Sequence, residues 1–369
     1  MRTKNYLWAV LAAATLSLNA CVSGENEMTE TQQKDAKLEI RLAGTSATTK
    51  ATGDNLPTQN VENTIKRFTV AIFNKDQTVN TIQTVTASTT SPTTINCTPA
   101  QNCTGIVVAN APTENHFAGA LNKGDFLKKV IALTDAQTSA CLPMSGEVKD
   151  ESGNATFTLV PGENTGMTAE LKRLVARVSV SSIKSAFDPN GQYSAASYEL
   201  KNIFVRDAVK EVVPAVGGYS DTQMTTPAFL TGSYAGTTGT AALATAVNPA
   251  VNVSTEHTAD YWFYIFPNED ANKHTALVLE GTFKKNASDA GTTIYYPVII
   301  NKDQIGTSIT GNSGTGTSNI QRNTLYAIKA TIKSIGTPDP TADIDPSSLQ
   351  LTVSAANWEL NITQDVTFE

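Results

Sequence analysis

Histidine is nearly absent from this chain. His116, His257 and His274 stand far apart, and none has a partner at metal-ligand spacing. No GxSxG, HExxH or phosphate-loop motif occurs, so the pattern points to no enzyme, no metal site and no cofactor. Charged residues are sparse at 17%, with a net charge of −7 and no cluster of Lys and Arg interleaved with aromatics. That argues against nucleic acid as a partner. The apolar run Tyr6 to Leu18 falls short of the ~20 residues that a membrane-spanning helix needs. Cysteine is scarce too. Cys21 stands alone near the start, and Cys97, Cys103 and Cys141 lie in the body, so at least one body thiol is left over if a disulfide forms.

What the chain does have is Thr, Ala, Val, Asn and Ser in abundance, with 23 Gly and 15 Pro. This is the composition of many short strands joined by turns, and the expected fold class is mainly β. At the N-terminus, Arg2 and Lys4 precede the apolar run, and Leu18-Asn19-Ala20-Cys21 follows. A basic region, a short apolar stretch and small residues before a cut make residues 1–20 a signal peptide. The last four residues resemble a bacterial lipobox, which implies that Cys21 is acylated and anchors the precursor in the outer membrane. Residues 22–36 are polar and lack aromatics, as a tether would.

Lys37 to Leu42 alternates strictly, with Leu38, Ile40 and Leu42 on one face, and predicts a first strand. Further strands are expected at 67–73, 78–86, 157–161, 174–180, 198–205, 261–266, 275–283, 292–300, 324–332, 349–353 and 357–368. Segments 94–97 and 103–110 read as a strand pair about the loop 98–102, which a bridge between Cys97 and Cys103 would staple. The alternative is two free thiols or a pairing with Cys141. A helix is expected from Phe117 to Leu133, where apolar residues recur near the 3.6 period. Turn or loop is expected at 162–166, 231–245 and 306–318, with a Pro/Asp-rich linker at 336–346. Asp339, Asp343 and Asp345 lack the spacing of a calcium loop and read as solvated linker charge.

The two ends share a pattern. Trp358, Leu360, Ile362, Val366 and Phe368 fall on one parity of the last strand, just as Leu38, Ile40 and Leu42 do on the first. A lone strand with one apolar face must pair and bury that face, either in its own domain or in a neighbour's.

The order of motifs resembles the FimA-type fimbrillins of Bacteroidetes over roughly residues 50 to 369. The segments that carry the likeness are KRFTVAIFN (66–74), INC…GIVVANAP (95–112) with the region after it, LKRLVARVSV (171–180), IYYPVIIN (294–301), IQRNTLYAIKATIKSIG (320–336) and LTVSAANWELN (351–361). The resemblance implies two β-sandwich, transthyretin-like domains, with the helix in the first. It implies domains at 51–170 and 171–369, preceded by a propeptide, 21–50, that holds the tether and a removable strand. In that family a protease directed at Arg or Lys removes the first strand, and the C-terminal strand of another copy fills the groove. The implied partners are other copies of the chain, accessory fimbrial subunits and the processing protease, at the cell surface. The matching cut is after Lys50, in an exposed-looking Thr/Ser/Ala/Gly segment. Arg41 is the alternative, and it lies inside the expected strand. The implied role is a structural, adhesion-supporting pilus stalk. The competing roles are an anchor or tip subunit, and a monomeric surface lipoprotein that binds glycan or host protein.

Overall fold

The computed structural model describes residues 35–44, 59–86, 92–216, 227–303, 307–310, 316–342, 344 and 348–358. Alternation makes Ala36–Gly44 strand β1, with Ala36, Leu38, Ile40 and Leu42 buried while Lys37 and Arg41 are exposed. Next come α1 (Gln59–Glu62), β2 (Arg67–Phe73), β3 (Val79–Thr86), β4 (Thr93–Cys97), β5 (Ala100–Ala109) and α2 (Lys123–Leu127). The first half closes with β6 (Ile131–Ala132), β7 (Met144–Lys149), β8 (Phe157–Leu159) and β9 (Gly162–Arg173).

One sheet runs β3-β2-β5-β7-β9-β1-β4, with β8 added beside β5. Side chains from all of these strands converge on a single core, so the sheet has to fold over on itself as two layers. Its two edges meet: the Asn80 amide donates to the Thr98 carbonyl at 2.9 Å, and the Thr98 N–H donates back at 3.0 Å. Gln83 donates to the Asn96 carbonyl at 2.9 Å. The outer face of β2 and β5, with Ala71, Phe73, Ile106 and Val108, packs into the second core.

That second core belongs mainly to β10 (Ala176–Ser185), β11 (Ser197–Arg206), β12 (Ala208–Val209), β13 (Glu211–Val212), β14 (Phe229–Leu230) and β15 (Ala244–Asn252). The chain continues through β16 (Tyr261–Ile265), β17 (Ala276–Lys284), β18 (Thr292–Ile299), β19 (Thr307–Thr310), β20 (Thr324–Ile332) and β21 (Leu349–Asn357). A sheet ordered β16-β10-β20-β21-β19 faces another ordered β15-β11-β17-β18. Alternate residues such as Ile328 and Val353 on one, and Leu200 and Leu279 on the other, fill the space between. The fold is mainly β, in β-sandwich layers, with little helix. The change from the first sheet to the second comes at Leu174-Val175, a few residues past the expected boundary at 170/171, and β1 belongs to the first sheet.

Four local expectations fail for physical reasons. The helix expected over 117–133 is reduced to five residues, Lys123–Leu127, capped by the Asn122 side chain on the Asp125 N–H at 2.8 Å. Gly119 sits at φ +77°, which breaks any helix before it, and Ile131-Ala132 is drawn into pairing with Glu211-Val212. Segments 94–97 and 103–110 are both strands but do not pair with each other: β4 pairs with β1, while β5 pairs with β2, β7 and β8. The expected turn 162–166 opens the twelve-residue β9. Gly166, at φ +79°, supplies the extra residue of a bulge where Leu38 faces Asn164 and Ile40 faces Met167. Lastly, the expected loop 306–318 contains β19, which runs parallel to β21.

Gly146 is required for space rather than for φ. A Cβ there would lie 2.3 Å from the Glu170 carbonyl oxygen, between β7 and β9. Gly146→Ala is therefore expected to destabilise the protein by about 1–3 kcal/mol, read as a lower urea midpoint at unchanged slope. An unchanged midpoint would show that the two strands can separate at no cost.

Candidate functional site

β1 is an interior strand. It runs antiparallel to β4, from Ala36 opposite Cys97 to Ile40 opposite Thr93, and parallel to β9, from Ala36 opposite Gly162 to Gly44 opposite Leu171. The Asn164 side chain locks the entry by donating to the Lys37 carbonyl at 3.2 Å and to the Val160 carbonyl at 2.9 Å. Leu38, Ile40 and Leu42 are buried in the first core. Each such side chain contributes about 1.5–3 kcal/mol, so together they rival the whole net stability of an ordinary domain. Arg41 has an exposed side chain, but its backbone is paired opposite Thr168. Cys21, Lys50, Leu360, Ile362, Val366 and Phe368 lie outside the described residues.

Cys97 and Cys103 are both buried in the first core, and the structure holds them as unbridged thiols. Each donates weakly to a nearby carbonyl, Cys97 to Ile95 at 3.7 Å and Cys103 to Ala100 at 3.6 Å. Burial, reinforced by the neighbouring Cys103, pushes the Cys97 thiol up to about 12, and burial raises Cys103 as well. Cys141, in a short 3₁₀ turn, is partly exposed and also free. Among the described residues no group of His, Cys, Asp and Glu could hold a metal ion, and no helix is long and apolar enough to cross a membrane.

Where the described chain ends, Trp358 is committed to its own subunit. Its ring is fully buried and stacks on Tyr264, with centroids 6.0 Å apart and planes 8° from parallel. The Arg173 and Arg177 guanidiniums lie over the same ring, 4.2 and 5.2 Å from its centroid. The Trp358 carbonyl accepts from Arg173 at 3.3 Å and from the Asn323 amide at 2.9 Å, and its N–H donates to the Asn323 carbonyl at 2.8 Å. Its indole N–H has no acceptor among the described residues.

The counter-charge comes from the other end of the chain. Glu62, on α1, is fully buried and takes Arg177 on both carboxylate oxygens at 2.8 Å. The Tyr264 hydroxyl donates to the same carboxylate at 2.7 Å. Arg173 also reaches the Glu62 carbonyl at 3.4 Å and the Asn63 side chain. Burial pushes Arg173 down to about 9, partly offset by Glu62, so it stays a cation at neutral pH. Another cation of the junction, the half-buried Arg322, spends its donors on the carbonyls of Arg173, Ala215, Ser145 and Lys172.

None of Glu62, Arg173, Arg177, Tyr264 or Asn323 stands out in the sequence as a site. The one available signal is two arginines in the apolar run LKRLVARVSV, since a charge inside a buried strand demands a partner. The partner, Glu62, lies 111 and 115 positions away from them.

Residues 36–181 match the family model of the major fimbrial subunit protein FimA, and residues 222–358 match that of the FimA4 pilin C-terminal domain. The chain belongs to the FimA-type fimbrillins. Two relatives from Porphyromonas gingivalis are each 27% identical: major fimbrium subunit FimA type-5, with 72% of this chain and 75% of that one covered, and FimA type-2, with 97% and 98% covered. A crystal structure of a P. gingivalis fimbrilin superposes with a TM-score of 0.65 at 20% identity, covering 90% of this fimbrillin and 99% of that chain. At that identity the structural likeness speaks for the fold.

Two outcomes are expected. Glu62→Ala leaves two buried guanidiniums without their carboxylate and should cost about 3–5 kcal/mol by urea denaturation, whereas an idle surface pair would cost under about 1 kcal/mol. Cys97 and Cys103 should resist a thiol reagent at pH 8 while Cys141 reacts. Because burial raises the Cys97 pKa from 9.0 to about 12, its contribution to stability is present below pH 9 and is lost as pH rises towards 12. Rapid native labelling of Cys97 would contradict this placement.

Proposed function

We propose that this fimbrillin is a stalk subunit, exported as a precursor acylated at Cys21 and held in the outer membrane until a protease cuts after Lys50. The cut frees β1, and the C-terminal strand of another copy replaces it. The observation that carries this reading is the position of β1. Its removal leaves β4 and β9 with unpaired edges above an apolar trough, which cannot persist in water.

The cut acts through effective concentration. While the 45–50 connection is intact, β1 is an intramolecular ligand for its own groove; once severed it is a free peptide that dilution removes. A strand built with Leu360, Ile362, Val366 and Phe368 on alternate positions offers the same every-second-residue apolar face as Leu38, Ile40 and Leu42. Arg41 is the poorer protease site, because a protease needs extended, unpaired backbone and Arg41 is paired with β9. Trp358 is already buried in its own subunit, so the donated stretch begins after it. A basic residue at Lys50, six positions past the end of β1, supports a processed stalk over an anchor, which would keep its lipid.

Purified precursor cut after Lys50 should begin at residue 51 and form ladders on unboiled gels. Lys50→Gln should block the cut, and deletion of 359–369 should abolish the ladders while leaving a folded monomer. If fully processed material that has lost β1 stays monomeric at all concentrations, strand exchange is wrong. An acylated Cys21 as the sole N-terminus on intact cells would instead indicate an anchor subunit or a plain surface lipoprotein.

A further inference from the structure

The Glu62, Arg173, Arg177, Tyr264 and Trp358 cluster joins two stretches that strand exchange sets in motion. Glu62 and Asn63 lie shortly after the Lys50 segment, Glu62 as the last residue of α1, the first described helix past the propeptide, and Asn63 in the turn that follows it. Trp358 is the residue from which the C-terminal segment departs. Arg173 touches both: the Glu62 carbonyl and Asn63 on one side, the Trp358 carbonyl and ring on the other.

The Glu62 carboxylate takes Arg177, the Asn323 and Asn63 side-chain oxygens take Arg173, and both guanidiniums also lie over the electron-rich π face of Trp358. Glu62 therefore holds Trp358 indirectly, through the two cations lying over its ring. An apolar cluster of similar volume would pack the junction at least as stably. What it would lack is a fixed position for the Trp358 backbone, which Asn323 and Arg173 hold by hydrogen bonds on both its N–H and its carbonyl.

We propose that this cluster is a coupling seat: it fixes the point at which the donated strand leaves its own subunit and ties that point to the segment behind the propeptide. The proposal rests on the strand-exchange reading above. Leu360, the first residue destined for a neighbour's pocket, stands two positions past Trp358, about 7 Å of extended chain. With so little slack, a displaced root misplaces every pocket residue after it. Coupling of this kind is reciprocal, so loosening Glu62 loosens Trp358.

The test uses Trp358 as its own reporter. Beyond the signal peptide the chain contains only Trp262 and Trp358, so Trp262→Phe leaves a single indole once Trp8 is removed. In that background, Glu62→Gln should shift Trp358 emission to the red and raise its quenching by acrylamide. Glu280→Gln removes a different buried carboxylate, one held by Asn202 and the Ala235 N–H, and should do neither at matched loss of stability. Donation is read separately. Uncut precursor, which can only donate, is mixed with an acceptor cut after Lys50 and truncated after Trp358, which can only accept. Glu62→Gln in the donor should lower the yield of the one-to-one complex about 5-fold or more, and Glu62→Asp should restore part of it. If Glu62→Gln and Glu280→Gln behave alike in quenching, or the Glu62→Gln donor pairs as well as the parent, the coupling seat is wrong. If the parent donor forms no complex at all, strand exchange itself fails, and the quenching comparison alone decides whether Glu62 holds Trp358.

Discussion

A strand with one apolar face and two open edges has no stable existence in water, and β1 satisfies every one of its demands at once by lying between β4 and β9. Its backbone is paired on both sides, and its four inward residues help complete the core around which the first sheet folds over. That core draws on all the strands of the first sheet, so each of them packs in part against what β1 completes. The proposed strand exchange would exploit the same dependence. A subunit completed by a segment tethered through a short connection is complete only while that tether lasts, and an incomplete one has a specific, strand-shaped need.

The second half of the molecule shows the opposite strategy. β21 is an interior strand too, flanked by β20 and β19, but the residue that follows it is held by ions and hydrogen bonds rather than by apolar packing alone. Buried guanidiniums are costly, and Arg173 is pushed down by its own burial. Directional contacts give in return a defined backbone position that greasy packing does not specify. The segment beyond Trp358 thus starts from a fixed root, whereas β1 is retained chiefly by area and by ladder hydrogen bonds.

Much of the strand content was legible from local pattern. Arg67–Phe73 and Thr324–Ile332 are strands with the expected ends, because β-branched and apolar residues run between clear turn signals. The failures share a cause. The 3.6-residue recurrence over 117–133 comes from residues that do reach a core, Phe117, Phe126 and Ile131 among them, but from turns and a short strand rather than from one helix face. At 162–166, two glycines that signal a turn in isolation lie inside β9, Gly162 paired opposite Ala36 and Gly166 in a bulge, since only the facing β1 reveals that an extra residue is needed there. Cys97 and Cys103, close in sequence, sit on strands with different partners, and nothing in the spacing foretold it.

Alternation along the chain was enough to establish a mainly β molecule and the amphipathic face of its first strand, and the order of its motifs marks the family. Period and composition are local properties, and each strand carries its own. The place of β1 in the sheet, parallel to β9 and antiparallel to β4, and the meeting of Glu62 with Arg173, Arg177 and Trp358, came only with the folded chain. The contacts of Glu62, Arg173, Arg177 and Trp358 join residues more than a hundred positions apart, and their energy comes from shared burial: neither a carboxylate nor an arginine reveals its partner until both have been taken out of water.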